Sequence, residues 1–260
     1  MCSNPQNPTG QVLPKSLLQK VVDLAESKGI TILSDEVYRP LFHGLFINLC
    51  VSETLADGYT QCFAGTSPMD AEFPPSILSM GYKNTIATGS LSKAYSLAGI
   101  RVGWLASRNR DIIEQCASTR DYTTISVSQL DQQVAAFALA PETLHILLGR
   151  NIQLAKTNLE LLERFVVKHD EYCSYVKPVA GTTAFVRFER DGKPIDAKAF
   201  CEALQDKTGV MFLPGDVGFG EEWKGYVRIG YVNRTEVVKE GLEEARKFMR
   251  KEYDDLPLSG

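Results

Sequence analysis

The 260-residue chain reads as an α/β protein built from a larger unit followed by a smaller one. Three observations predict this. The run Ile30-Thr31-Ile32-Leu33 lacks polar alternation, as suits a strand buried on both faces of a parallel sheet. Segments of helical period alternate with short strand-like segments along the chain. The composition, 44% hydrophobic and 23% charged, provides for one large or two modest cores. A net charge of −4 argues against a nucleic-acid surface. No segment has the apolar length of a membrane span, and no basic-then-apolar signal opens the chain. Cys2, Cys50, Cys62, Cys116, Cys173 and Cys201 show no C-x-x-C spacing and read as free thiols of a reducing, cytoplasmic compartment.

The elements follow in order. Asn4-Pro5-Gln6-Asn7-Pro8-Thr9-Gly10 is a turn, because each proline sets its own φ and restricts the residue before it. It either presents the Asn7 amide at a defined place or is a plain loop. Leu13 to Lys28 predicts an amphipathic helix, with Pro14 in its first turn and Gly29 as its stop. The strand from Ile30 ends at Asp35, with Glu36 and Tyr38 beyond. Ligands gather at the carboxyl ends of strands in α/β sheets, so Asp35 serves a site there or caps the next helix. Leu45 to Met80, with Gly58, Gly65, Pro68, Pro74 and Pro75, predicts irregular chain flanking a site. Thr85–Thr88 and Val102–Ala106 predict strands too close for a helical crossover, hence antiparallel.

Helices are expected near Asp111–Asp121 and Ser128–Ala138. Pro141 marks a boundary. A long helix from Glu142 to about Lys168 would link a domain over 1–150 to one over 151–260. Strands Ser174–Lys177 and Thr182–Glu189, helix Ile195–Lys207, strands Val210–Leu213 and Tyr226–Val232 and helix Glu236–Lys251 complete a smaller α/β unit. Gly215-Asp216-Val217-Gly218-Phe219-Gly220 is a flexible loop rather than a phosphate cradle, since it lacks the dinucleotide fingerprint and its context. Gly181-Thr182-Thr183-Ala184-Phe185 lines a pocket or starts a strand. His43, His145 and His169 are far apart in sequence and read as structural or surface residues. Asn233-Arg234-Thr235 is a formal glycosylation sequon without a secretory signal.

The chemistry concentrates in Gly89-Ser90-Leu91-Ser92-Lys93-Ala94-Tyr95-Ser96-Leu97-Ala98-Gly99-Ile100-Arg101-Val102-Gly103. A lysine at a strand end, beside hydroxyls and a guanidinium, suits an amine that forms an imine while an attached phosphate is held nearby. Pyridoxal phosphate carries that pair of groups. The same lysine also fits an ordinary surface position after a strand.

Asn7-Pro8-Thr9-Gly10, Asp35 with Tyr38, Ser90-Leu91-Ser92-Lys93, Arg101 with Gly103, and Gly225-Tyr226-Val227-Arg228-Ile229-Gly230-Tyr231 occur in that order across nearly the whole chain. In this the chain resembles the fold-type-I pyridoxal-phosphate enzymes, specifically class I/II aminotransferases. The resemblance implies a large domain with a mostly parallel sheet and a smaller carboxyl-terminal α/β domain. It implies pyridoxal 5′-phosphate as cofactor, amino-acid and 2-oxo-acid substrates, and a homodimer at full length. Lys93 resembles the lysine that binds the cofactor aldehyde and later moves the proton at the substrate Cα. Asp35 resembles the acid that keeps the pyridine nitrogen protonated. Tyr38 and Asn7 look like donors to the cofactor's phenolic oxygen. Ser90, Ser92 and Arg101 look like phosphate ligands. Arg228 resembles the arginine that binds the substrate carboxylate, a region to which Asn7 also belongs. Burial of Lys93 beside Arg101 would favour its neutral form.

In that family the Asn-Pro-x-Asn-Pro-Thr-Gly segment falls in the middle of the large domain. The sequence therefore lacks the ring-stacking aromatic, the phosphate-binding helix start and several strands, and predicts an incomplete sheet with an unpaired edge. Transamination is the leading activity. Elimination, racemisation or cyclisation on an amino acid, or a remnant with little activity, are the alternatives that the same residues allow.

Overall fold

The structure, a computed structural model, describes residues 2–43 and 74–260. The irregular stretch expected from Leu45 lies outside them as far as position 73. The residues gather into two compact units, one of Met1–Gln6, Gln11–Ile152 and Val179–Gly181, the other of Asn7–Gly10, Gln153–Pro178 and Thr182–Gly260.

The first unit holds a sheet of β1 (Cys2–Ser3), β2 (Ile32–Asp35), β3 (Thr85–Ser90) and β4 (Gly103–Ser107), in that order. β1, β2 and β3 are parallel, and β4 runs antiparallel to β3, as the short connection requires. Helix α1 (Lys15–Ser27) buries Leu18, Val22 and Ala25, one face at helical spacing, against Ile32, Ile77, Met80, Tyr82 and Ala87. It starts after Pro14 and stops at Gly29, whose φ is +65°. Gly29 N donates to Glu26 O and Ile30 N to Ala25 O, which closes the helix end. Ile30 therefore belongs to the cap, and the strand starts two residues later than its apolar run.

Glycine is required at Gly89. A Cβ there would lie 2.2 Å from Trp104, its direct partner on β4. Helices α2 (Arg110–Arg120) and α3 (Gln129–Leu139) begin at Asn109 and Ser128, whose side chains accept from Asp111 N and Asp131 N. Helix α4 (Pro141–Lys168) follows.

The second unit holds β5 (Cys173–Tyr175), β6 (Thr183–Arg190), β7 (Lys193–Pro194), α5 (Ala197–Thr208), β8 (Leu213–Pro214), α6 (Gly215–Phe219), β9 (Tyr226–Gly230) and α7 (Thr235–Glu252). Its sheet runs β5-β6-β9-β8 with every pairing antiparallel, and β7 pairs with β6. The β6–β7 hairpin turns on Asp191 and Gly192, at φ of +53° and +72°, a dipeptide suited to a two-residue turn. Phe200 of α5 centres the core, against Phe188 at 4.8 Å, Phe248 at 5.9 Å and Tyr253 at 6.3 Å between ring centroids.

Two sequence expectations are corrected here. The strand over Val210–Leu213 shrinks to β8, because Val210 N donates to Thr208 Oγ1 and joins the end of α5 instead of the ladder. The stretch Gly215–Gly220 is neither a loop nor a cradle, since Gly215–Phe219 forms a short helix. Thr183 starts β6. Among the described residues, no helix is long and apolar enough to cross a membrane.

Candidate active site

The lysine run forms a turn pinned at both flanks. Leu91 and Ala94 are fully buried, while Lys93 between them is exposed. Leu91 N donates to Val102 O at 3.0 Å, and Leu97 N to Leu91 O at 2.9 Å. From α4, Asn151 Nδ2 donates to Ala94 O at 2.9 Å. Lys93 Nζ lies 5.9 Å from the centroid of the buried Tyr38 ring. The burial of Lys93 expected from the sequence is thus not provided by the described residues. The backbone turns at Lys93–Ser96, with Ser96 N bonded to Lys93 O.

Asp35 ends β2 opposite Thr88 of β3. Thr88 Oγ1 and Val37 N both donate to Asp35 Oδ1, each at 3.2 Å. Among the described residues no hydrogen bond reaches Oδ2, which is left for another donor. Strand alternation sends the next acid elsewhere. Glu36 is buried, where Oε1 accepts from Ile77 N at 2.9 Å and Ser34 Oγ at 3.2 Å. Its other oxygen lies 3.7 Å from Arg39 Nε, and burial lowers the pKa of that guanidinium against the opposing pull of Glu36.

Ser90 Oγ accepts from Ser92 N at 3.0 Å and lies 3.0 Å from Ser92 Oγ. The two serines are therefore together. Arg101 is not hydrogen-bonded to either among the described residues. Its left-handed backbone, φ +53°, turns the exposed side chain onto Ala98 O at 3.0 Å.

Asn7 and Arg228 belong to the second unit. Arg228 on β9 is half-buried, and its Nη1 donates to Asn7 Oδ1 at 3.3 Å. That orientation leaves the Asn7 amide N–H groups as donors. The turn carrying Asn7 is tied to β6 by Thr183 Oγ1, which donates to Pro8 O at 3.1 Å. The Arg228 guanidinium carbon lies 5.7 Å from the Phe219 ring centroid.

A family model described as "Aminotransferase class I and II" matches residues 1–244. The chain belongs to that family. Among aminotransferase relatives, the (5-formylfuran-3-yl)methyl phosphate transaminase of Methanocaldococcus jannaschii is 27% identical, over 96% of this chain and 57% of its own length. An aspartate aminotransferase of Pyrococcus horikoshii is 26% identical, over 95% of this chain and 56% of its own. A solved PLP-dependent aminotransferase from Streptococcus suis superposes with a TM-score of 0.76 at 33% identity, over 96% of this chain and 56% of that one. The chain thus spans little more than half the length of these aminotransferases.

Thr88 and Phe219 touch two of the residues that the sequence singles out, Asp35 and Arg228. Thr88 was visible only as the residue in register with Asp35, a pairing that no sequence pattern prints. Phe219 sat inside a stretch read as a loop. The histidines contact backbone carbonyls, His43 to Gly181, His145 to Pro141 and His169 to Phe165. Cys116, Cys173 and Cys201 are free, and burial pushes the Cys173 and Cys201 thiols up to about 12.

Proposed function

We propose that this chain moves an amino group between an amino acid and a 2-oxo acid, with pyridoxal 5′-phosphate as cofactor. The observation that carries the reading is Lys93 Nζ above the Tyr38 ring, in a chain matched to the family over residues 1–244. The donor set fits the cofactor. The first unit has an amine, a phenol, a carboxylate with one oxygen free, and two adjoining hydroxyls. When bound, the cofactor supplies an aldehyde that captures an amine and a ring that accepts electrons.

With the cofactor bound, Lys93 Nζ would be the amine that holds it, and would serve as the base that moves the proton at the substrate Cα. Asp35 would keep the ring nitrogen protonated, its Oδ1 already accepting from Thr88 Oγ1 and Val37 N. Tyr38 and Asn7 would each be a donor suited to the phenolic oxygen. Ser90, Ser92 and Arg101 would hold the phosphate. Arg228 offers its planar fork to the substrate carboxylate, which orients the Cα–H bond.

Residues 1–150 are read as the remainder of the cofactor-binding domain and residues 151–260 as the small domain. The reading extends to a homodimer in the cytoplasm, and the free thiols support a reducing compartment. The test is incubation with pyridoxal phosphate, borohydride reduction and peptide mapping. Label at Lys93 is expected. Label confined to any other lysine overturns the reading.

A further inference from the structure

We propose that Phe219 is a positioning residue for Arg228, its ring holding the guanidinium in the plane that a substrate carboxylate needs. The proposal rests on the reading of Arg228 as the partner of that carboxylate. It also gives a purpose to the glycine-rich stretch Gly215–Gly220, which the proposed reaction otherwise leaves unused.

The stretch is a mount. A Cβ on Gly215 would lie 2.7 Å from Tyr226 O and 2.8 Å from Phe185 Cζ, so only glycine lets the chain approach the sheet here. One helical turn later, at i+4, Phe219 returns to the same face. Gly220, at φ +123°, then ends the helix. The Phe219 ring meets Phe185 edge-on, with centroids 5.5 Å apart and planes at 74°. Phe185 is itself buried, stacks on Tyr226 at 4.8 Å and meets Trp223 at 5.3 Å. Phe185 is also the direct partner of Arg228 across β6 and β9, so ring and guanidinium share a face of the sheet.

Two contacts then restrain the cation in different ways. The Phe219 face lies under the guanidinium carbon, and Asn7 Oδ1 accepts from Nη1. On the proposal, the ring 5.7 Å away limits tilt, and the hydrogen bond to Asn7 limits rotation within the plane. Arginine has several rotatable bonds, and freezing them only on binding costs affinity that a prepared mount spares. A ring face also attracts the cation directly.

The test uses the cofactor-loaded, full-length protein. Apparent affinities are read from the cofactor's visible absorbance for two probes: the tightest-binding of the twenty amino acids, and the amine that lacks its carboxylate. Phe219→Leu should weaken amino-acid binding about three- to tenfold, the scale of a cation–π contact. It should leave amine binding within about twofold, and Phe219→Tyr should restore the loss. Phe219→Met replaces the leucine variant if that one does not fold. Arg228→Lys is the control and should weaken the amino acid but not the amine.

If Arg228→Lys has this effect and Phe219→Leu has none, the inference fails while the reading of Arg228 stands. If Phe219→Leu weakens both probes equally, the ring is only structural and the inference is overturned. If Arg228→Lys spares the amino acid, or no amino acid binds, the reading falls and the inference with it.

Discussion

Lys93 in the first unit is exposed and unpaired among the described residues, reaching only toward the Tyr38 ring, whereas Arg228 in the second is half-buried on Phe219 and bonded to Asn7. The backbone around Lys93 is firmly held, by buried Leu91 and Ala94 and by Asn151, yet the side chain is not. Around Arg228 the side chain itself is held. The difference parallels the two roles proposed for these residues. A group that must change partners during a reaction gains from a rigid base and a free tip. A group that must present a fork gains from having the fork fixed beforehand. Asp35 and Glu36 repeat the contrast on one strand. The first keeps an oxygen available, and the second spends its carboxylate on Ile77 N, Ser34 and Arg39.

The hardest test of this contrast is Lys93→Ala. It should remove borohydride-stable attachment of pyridoxal phosphate and slow deuterium exchange at the substrate Cα by about 10²–10⁴-fold. Because the side chain is exposed, thermal unfolding should shift by no more than about 0.5 kcal/mol. A large loss of stability would mean that the lysine is held after all.

Asp35→Ala comes next. On the proposed reading it removes the partner of the ring nitrogen and should raise the barrier to the same exchange by about 3–5 kcal/mol, with weaker cofactor binding. An exchange rate equal to wild type would rule out the ring-nitrogen role. Glu36→Ala, one residue on, should act instead on stability, by about 1–3 kcal/mol through the orphaned Ile77 N. Chemical denaturation separates the two acids.

Alkali should distinguish the units themselves. Cys173 and Cys201 lie in the second unit, and burial pushes both thiols from 9.0 up to about 12. Tyr175, in the same unit, is also raised to about 12 by burial. Below about pH 9 these thiols are protonated whether the chain is folded or unfolded, and they add no pH dependence. Between about pH 9 and 12 only the unfolded chain gives up the protons, so stability falls as pH rises, by about 1.4 kcal/mol per thiol per pH unit. Hydrogen exchange at pH 8 and 10 should show α5 and β5 losing protection before α1. Equal loss in α1 would refute the assignment to one unit.

The smallest expected effect is that of Thr88→Val, which keeps the shape of the strand and deletes one hydrogen bond to Asp35 Oδ1. Val37 N still holds that oxygen, so cofactor affinity should fall by about 1 kcal/mol, near fivefold, as measured by absorbance titration. A loss as large as that of Asp35→Ala would mean that Thr88 alone sets the carboxylate.

The sequence by itself determined the α/β class, the antiparallel β3–β4 pair, the existence of α1 with its ends within two residues, and the family. These rest on local signals: apolar runs, proline and glycine punctuation, and short motifs whose order survives in one dimension. Asp191-Gly192 was a local signal of the same kind that went unread. Other features were decided only when distant residues met. The pairing of Thr88 with Asp35 depends on strand register, and the contacts of Asn7 and Phe219 with Arg228 join positions far apart in the chain. The exposure of Lys93 is likewise set by what packs over it, since burial is a property of surroundings that a residue's own neighbours in sequence do not fix. The helix at Gly215–Phe219 makes the same point. Its glycines suggested looseness, but the close approach to Tyr226 and Phe185 turns the missing side chain at Gly215 into a packing requirement.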